Sequence, residues 1–195
     1  QEAQHVFIKK GLSLFENESV SILEIGFGTG LNAFITFLEY PKLNQKINYV
    51  GVEGYPVTIE EAGLMNYVAE LNAENEKNVF DLLHQCKWEE GIELNKDFLF
   101  TKRNQFFADI KDKEKYDLIY FDAFGYDVQP ELWSIEIFKI MFESLKNKGV
   151  LVTYAARGVI KRNMIEAGFT VEKLEGAPGK REMFRANKGR NLSVK

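Results

Sequence analysis

The stretch that decides the fold is EIGFGTG, residues 24–30, in which three glycines occupy alternate positions. It continues an apolar, β-branched run, SILEIG at residues 21–26, which is typical of a buried strand. The next segment, LNAFITFLEY at residues 31–40, has helical spacing. Glycines between a strand and a helix let the backbone turn sharply and approach a ligand closely. By itself, such a turn is more typical of a flexible loop than of a binding site.

Strands and helices are predicted to alternate on either side of this turn. Further strands are predicted at residues 47–53, 98–104, 106–110, 116–124 and 150–155, with a closing pair at 169–176 and 181–187. Helices are predicted at residues 58–71, 79–86, 130–145 and 158–168. This order predicts an α/β fold with a mostly parallel sheet, a C-terminal antiparallel strand pair and a helical insertion over residues 58–95. Thr58 and Glu61 are placed to form a capping box.

The composition suits one soluble domain of 195 residues, with an opening segment at 1–20 and a core at 21–195. The single cysteine, Cys86, excludes an intrachain disulfide, and the two histidines, His5 and His84, leave little for a metal centre. We therefore expect no metal. No apolar run reaches the ~18 residues of a membrane helix, and the first residues lack a signal-peptide layout. A cytoplasmic protein is the expectation.

Charge is distributed unevenly along the chain, whose net charge is -4. From Arg157 onward there are ten Lys or Arg residues and only four Asp or Glu. A basic C-terminal quarter on an acidic body is typical either of a local anion-binding face or of a solvated tail. If the region binds anions, Arg157, Lys161 and Arg162 are candidates for the contacts.

Acidic residues at strand ends indicate that the glycine segment belongs to a cofactor site. Glu53 ends the second strand, where a carboxylate can accept hydrogen bonds from both hydroxyls of a ribose. Asp109 ends a predicted third strand, near the expected adenine, and Glu24 could receive a charged amino group. The glycine spacing lacks the pattern of a pyrophosphate cradle. A nucleoside pocket without a phosphate grip favours S-adenosylmethionine (SAM) over NAD. The predicted cofactor-binding residues are Glu24, Gly26, Gly28, Gly30, Glu53 and Asp109.

A second motif, YFDAFGYDVQPELWS at residues 120–134, resembles a known signature. It is similar to that of the methyltransferase that completes 5-methylaminomethyl-uridine at the tRNA wobble position, which occurs as half of a bifunctional protein and as standalone homologues. EIGFGTGLNAF (24–34), GAPGKREMF (176–184) and QEAQHVFIKKGL (1–12) also resemble this family. The similarity therefore spans nearly the whole chain.

The resemblance implies a Rossmann-like, class I SAM-dependent methyltransferase that methylates the exocyclic amine of 5-aminomethyl(-2-thio)uridine. Asp122, at the end of the central strand, is then the predicted catalytic residue, because its carboxylate can orient the amine and accept or relay a proton. An Asp that only caps the following turn is the alternative. Phe124, Lys180 and Arg181 are the predicted substrate-binding residues, for base stacking and tRNA phosphates. Partners implied are the tRNA anticodon loop and a separate enzyme that supplies the aminomethyl precursor.

Several residues and alternatives stay open on sequence alone. Phe107 could flank the adenine or pack in the core, and Trp133 is interpreted as a packing anchor. Gly125 and Tyr126 replace the usual Ala-Pro of the family, which leaves the acceptor less certain than the cofactor. The alternatives are a SAM-dependent N-methyltransferase or aminopropyltransferase for a small amine, a non-catalytic SAM- or RNA-binding module, and an NAD-dependent oxidoreductase.

Overall fold

The computed structural model describes residues 1–189, and eight strands of this range form one mixed sheet. The strands are β1 (Ser19–Ile25), β2 (Lys46–Glu53), β3 (Gly91–Asn95), β4 (Phe98–Asn104), β5 (Tyr116–Phe121), β6 (Leu145–Thr153), β7 (Thr170–Glu175) and β8 (Glu182–Asn187). Their order is β3-β4-β2-β1-β5-β6-β8-β7. Strands β4, β2, β1, β5 and β6 are parallel, whereas β3, β7 and β8 pair antiparallel.

Six α-helices connect these strands within the described range. They are α1 (Leu31–Glu39), α2 (Ile59–Gly63), α3 (Tyr67–Glu70), α4 (Lys77–Gln85), α5 (Ile135–Ser144) and α6 (Gly158–Glu166). None of the helices in residues 1–189 is long and apolar enough to cross a membrane.

The predicted α/β fold, with its C-terminal antiparallel pair, is confirmed. The prediction of one helix over residues 58–71 is wrong, because the chain breaks between α2 and α3 after Gly63, a poor helix former. The capping box of Thr58 and Glu61 is present at the start of α2. The helical insertion is also shorter than predicted, since β3 follows α4 and pairs with β4 through a tight turn.

The prediction of a strand at residues 106–110 is wrong as well. Phe107–Asp109 form a 3₁₀ turn instead. Phe107 is buried whereas Phe106, Ala108 and Asp109 are exposed, so the segment lacks the two-residue alternation of a half-buried strand.

The sheet is buried on both faces, as expected for parallel strands covered by helices. One face packs against α1, α4 and the opening segment, where Gln4–Lys9 form a π-helical turn and Leu12–Phe15 a 3₁₀ turn. The ring of Phe7 lies 4.9 Å from that of Tyr120 on β5. The opening segment therefore packs into the hydrophobic core. It also brings Glu2 to the carboxyl end of the sheet, where the Glu2 side chain lines the main cavity.

Candidate active site

The glycine turn and the end of β5 are in direct backbone contact. Gly26 has a φ of 87°, and a Cβ on it would lie 2.5 Å from the backbone oxygen of Asp122. The N–H of Asp122 donates to the carbonyl of Ile25 at 2.9 Å. Only glycine combines this left-handed conformation with so close an approach. The two motifs that stand almost a hundred residues apart in the sequence thus form one site.

Glu53, at the carboxyl end of β2, faces the same turn. Its Oε2 accepts a hydrogen bond from the N–H of Gly28 at 2.9 Å, and its Oε1 accepts one from the N–H of Tyr55 at 2.9 Å. Each oxygen keeps a second lone pair, and Glu53 lines the cavity. The carboxylate is therefore fixed by the backbone and can still accept from two vicinal hydroxyls.

Asp122, the predicted catalytic residue, lies on the wall of the cavity next to Gly26. Its Oδ2 accepts a hydrogen bond from the amide of Asn32 at 2.8 Å. Burial raises the pKa of the Asp122 carboxyl above its ordinary value, while the Asn32 hydrogen bond acts in the opposite direction. A carboxylate with raised proton affinity is a better proton acceptor near neutral pH.

Three predicted cofactor residues, Glu24, Gly30 and Asp109, do not line the cavity. Glu24 is fully buried and receives hydrogen bonds from the amide of Asn32 and the hydroxyl of Tyr49. Burial raises the pKa of this carboxyl well above its ordinary value. Gly30, with a φ of 76°, stands at the start of α1, where a Cβ would approach the His84 ring to 3.1 Å. The expectation that Glu24 receives a charged amino group is therefore corrected, because Glu24 is fully buried and both of its oxygens are already hydrogen-bonded within the protein.

Asp109 also lies away from the predicted contact. Its side chain is exposed on the 3₁₀ turn, and the cavity wall at this place is formed by Phe106, Phe107 and Ala108. The predicted adenine contact of Asp109 depended on a strand that does not exist, so the geometry does not support it. Phe107, which sequence reasoning left open, is buried and lines the cavity.

The loop after β5 presents an aromatic ring to the cavity. The side chain of Phe124 is 65% exposed and lines the cavity next to Asp122. Trp133 is fully buried, and its indole N–H donates to the backbone oxygen of Phe124 at 2.8 Å. The interpretation of Trp133 as a packing anchor is confirmed, and this anchor also holds the loop that carries Phe124.

Lys180 lies at the mouth of the cavity, whereas Arg181 does not reach it. The ammonium of Lys180 pairs with Glu2 and lies 4.6 Å from the centre of the Tyr154 ring. Glu2 and Tyr154 both line the cavity, and Lys180 is close enough to Asp122 to lower its pKa. Arg181 is exposed and forms no ion pair within residues 1–189.

The cavity has a volume of about 930 Å³ and an acidic lining. Five carboxylates contribute to its wall: Glu2, Glu53, Asp122, Glu131 and Glu136. Among the lining residues, all in the described part of the chain, none is Lys, Arg or His. Its other walls are apolar and aromatic, as in most small-molecule sites. An occupant with positive charge is favoured here, and one with phosphates is disfavoured.

A family model described as S-adenosyl-L-methionine-dependent methyltransferase matches residues 69–189. The chain belongs to this family. The match includes Asp122, Phe124 and the closing strand pair. The fold is the Rossmann-like class I arrangement, and the protein is a SAM-dependent methyltransferase.

Individual relatives agree with the predicted resemblance. The tRNA 5-methylaminomethyl-2-thiouridine biosynthesis bifunctional protein of Campylobacter fetus is 30% identical over 95% of this chain. The match covers 31% of that relative, so the chain spans about a third of its length. Among solved structures, MnmC2 from Aquifex aeolicus has a TM-score of 0.75 at 16% identity, covering 97% of this chain and 60% of that one. Spermidine synthase from Thermotoga maritima has a TM-score of 0.57 at 15% identity, covering 96% and 59%. These structures show a shared fold only.

The residues present fit SAM on three observations. Gly26 permits close backbone approach, Glu53 has lone pairs for ribose hydroxyls, and the acidic lining suits a sulfonium and an ammonium group. Phe107 and Ala108 offer apolar surface for a purine ring. The methyltransferase would hold SAM with these residues.

The lining residues of this methyltransferase that sequence reasoning missed include Glu2, Asn32, Tyr67 and Tyr154. Tyr67, on α3, hydrogen-bonds through its hydroxyl to the hydroxyl of Thr29 at 2.9 Å. Asn32 follows the glycine turn by two residues, and its polar side chain in the first turn of an apolar helix was an available signal.

The C-terminal basic region is largely paired with acidic groups. Arg157 pairs with Asp127, Lys173 with Glu182, and Arg185 with Glu172, while Lys180 pairs with Glu2. Within residues 1–189, Lys161, Arg162 and Arg181 have no ion-pair partner. Arg190 and Lys195, which belong to the predicted basic quarter, lie outside the described residues. Any anion-binding face therefore depends more on Lys161 and Arg162 than on Arg157.

The contacts of His5, His84 and Cys86 are structural. The ring of His5 hydrogen-bonds to the backbone oxygen of Glu175 at 2.9 Å, joining the opening segment to β7. The ring of His84 packs against Phe27 and Phe80. The thiol of Cys86 donates to the backbone oxygen of Leu83. Within the described range, no group of three or more His, Cys, Asp or Glu side chains could hold a metal ion.

Proposed function

We propose that this methyltransferase transfers a methyl group to the exocyclic amine of 5-aminomethyl(-2-thio)uridine at the wobble position of tRNA. The observation that carries the proposal is that Asp122 and the exposed Phe124 line one cavity whose lining residues, all within the described part of the chain, include no Lys, Arg or His. The family resemblance of residues 120–134 and the names of the relatives support the same substrate.

The reaction requires the lone pair of the acceptor amine, which arrives protonated at neutral pH. SAM supplies an electrophilic methyl group on its sulfonium sulfur. Asp122 accepts a hydrogen bond from the amine, orients its lone pair and takes up or relays the proton that the nitrogen loses. Phe124 stacks on the uracil ring and holds the aminomethyl group towards Asp122. Acidic groups around the mouth attract the cationic amine.

The anticodon loop is the part of tRNA that presents an unstacked wobble base to such a cavity. Phosphate contacts are assigned to Lys161, Arg162 and Arg181, since Arg157 is paired with Asp127. We further propose that the protein works in the cytoplasm and that a separate enzyme supplies the aminomethyl group.

A small-molecule amine is the competing acceptor, because an acidic cavity on this fold suits a polyamine equally well. The experiment offers the protein SAM with tRNA bearing 5-aminomethyl-2-thiouridine, tRNA with unmodified wobble uridine, and free diamines. Nucleoside mass spectrometry should show methylation of the first substrate only. Turnover of free amines without tRNA methylation would refute the proposal. Decarboxylated SAM as donor tests the aminopropyl alternative, since its product has a different mass.

A further inference from the structure

A chain of four polar side chains, three of them buried, runs from the interior of the sheet to the carboxylate of Asp122. The hydroxyl of Tyr49 donates to Oε2 of Glu24 at 2.8 Å. The amide of Asn32 donates to Oε1 of Glu24 at 2.9 Å and to Oδ2 of Asp122 at 2.8 Å. Tyr49 lies on β2, Glu24 on β1 and Asn32 on α1, and Asp122 follows β5, so the chain joins four elements.

Only the outer half of this chain reaches the cavity. Asn32 and Asp122 line it, whereas Glu24 and Tyr49 are fully buried behind them. An isolated buried carboxyl is unfavourable unless its oxygens are hydrogen-bonded, and both oxygens of Glu24 are. Packing alone does not require Glu24 here, since Ile22, two residues earlier on the same face of β1, is apolar and equally buried.

The Asn32 amide nitrogen has two hydrogens, and both are used. One is directed to Glu24 and the other to Asp122, which fixes the plane of the amide because the two N–H bonds diverge at a constant angle. The Asp122 carboxylate is held through Oδ2, and the described residues form no hydrogen bond to its Oδ1. We propose that Asn32 is a positioning residue that aims Oδ1 of Asp122 at the acceptor amine, and that Glu24, braced by Tyr49, holds the Asn32 amide in place.

The identity of the amine in this inference rests on the proposed function. The hydrogen-bonded arrangement of Asn32 and Asp122 can be tested separately, through the pKa of Asp122. The charged and titratable groups that face Asp122 are Glu24, Tyr49, Glu2, Lys180 and Tyr154. The hydrogen bond from Asn32 favours the ionised form of Asp122. Removing it should therefore raise the pKa of Asp122 further, towards neutrality.

The test compares Asn32→Leu, Glu24→Gln and Glu24→Leu with the wild-type protein. Asn32→Leu keeps the size of the side chain and removes both donors, so kcat should fall about 100-fold while the KM for SAM changes far less. Glu24→Gln still offers an oxygen to Asn32 and should retain most activity, whereas Glu24→Leu should lose it. The matched control is Asn187→Leu. Asn187 lies at the end of β8, and its buried amide donates a hydrogen bond to Glu172. That variant should lower stability without changing kcat.

Carbon NMR of the Asp122 carboxyl, assigned with Asp122→Asn, measures its pKa in each variant without any methyl acceptor. A higher pKa in Asn32→Leu together with the kcat loss supports the inference. An unchanged pKa, or equal activity loss in Glu24→Gln and Glu24→Leu, would overturn it. Should Asn32→Leu fail to fold, Asn32→Ala replaces it. A wild-type protein inactive on tRNA would refute the proposed function while this titration still decides the role of Asn32.

Discussion

The two sides of the cavity are built differently. On the tight side, at the glycine turn, the backbone around Gly26 and Gly28 is fixed by close contact with Asp122 and by Glu53. On the open side, in the loop after β5, Phe124 and Val128 are 65% and 71% exposed, and a Cβ on Gly125 would meet no atom within 4 Å. A cofactor site needs a fixed backbone, because the same molecule binds there in the same geometry each time. A loop that contacts a macromolecular substrate needs accessible surface instead. The departure from the family pattern, Gly125-Tyr126, falls on this open side.

The largest effect is expected from Gly26→Ala, which tests the tight side directly. The left-handed backbone costs a non-glycine residue about 1–3 kcal/mol, and the new Cβ would collide with the Asp122 backbone. SAM binding should be lost in calorimetric titration, and the melting temperature should fall. Gly125→Ala is the matched control on the open side and should change neither. If the two substitutions lowered SAM affinity and melting temperature equally, the contrast between the tight and the open side would be wrong.

Asp122→Asn should reduce kcat by roughly 100- to 10,000-fold, the usual range for loss of general acid–base catalysis. SAM affinity should stay close to that of the wild type, which separates catalysis from binding and excludes a non-catalytic binding module.

The kcat of the wild-type protein should also depend on pH, in the direction that the pKa of Asp122 determines. Since the pKa of Asp122 is raised, kcat should fall as the pH drops through a value above that of an ordinary Asp, because protonation removes the acceptor. The acid limb of the pH–rate profile measures this value. An acid limb at or below the ordinary Asp value would show that Asp122 does not act as the base.

Phe124→Ala tests the open side. If the ring stacks on the target base, its loss should weaken tRNA binding by roughly 1–3 kcal/mol and raise the KM for tRNA about tenfold or more. The KM for SAM should not change. Val128→Ala, an equally exposed apolar residue of the same loop, is the control. A similar KM change in both variants would indicate a general surface effect instead of stacking.

The smallest effect is expected from the basic residues. Replacing Lys161 and Arg162 by Ala should weaken tRNA binding modestly and lower the slope of log K against log salt by about one to two, roughly one for each phosphate that is no longer neutralised. Arg157→Ala, whose guanidinium is paired with Asp127, should change the slope less. The salt dependence is measured by fluorescence anisotropy with labelled tRNA. A larger change for Arg157 would reverse this assignment.

Much of this site could be predicted from the sequence because its parts are local. The apolar run before Gly26, the helical spacing after Gly30 and the acid at the end of β2 each result from short-range patterns. The exposed turn around Asp109 was predicted wrongly because two adjacent phenylalanines suggested a strand, although only Phe107 is buried. The helix break at Gly63 was missed because a capping box and apolar spacing suggested continuity.

By itself, the sequence determined the strand–glycine–helix unit, the alternation that gives a parallel sheet, and the place of Asp122 at a strand end. These features depend on hydrophobic periodicity and on glycine's backbone freedom, which are properties of neighbouring residues. Only the tertiary structure decided that Glu24 is buried and that Asn32 contacts both Glu24 and Asp122. It also decided that Glu2 lines the cavity and that five of the eight basic residues within 157–189 have ion-pair partners. These relations join residues up to 178 positions apart, and distances across strands cannot be read from spacing along the chain.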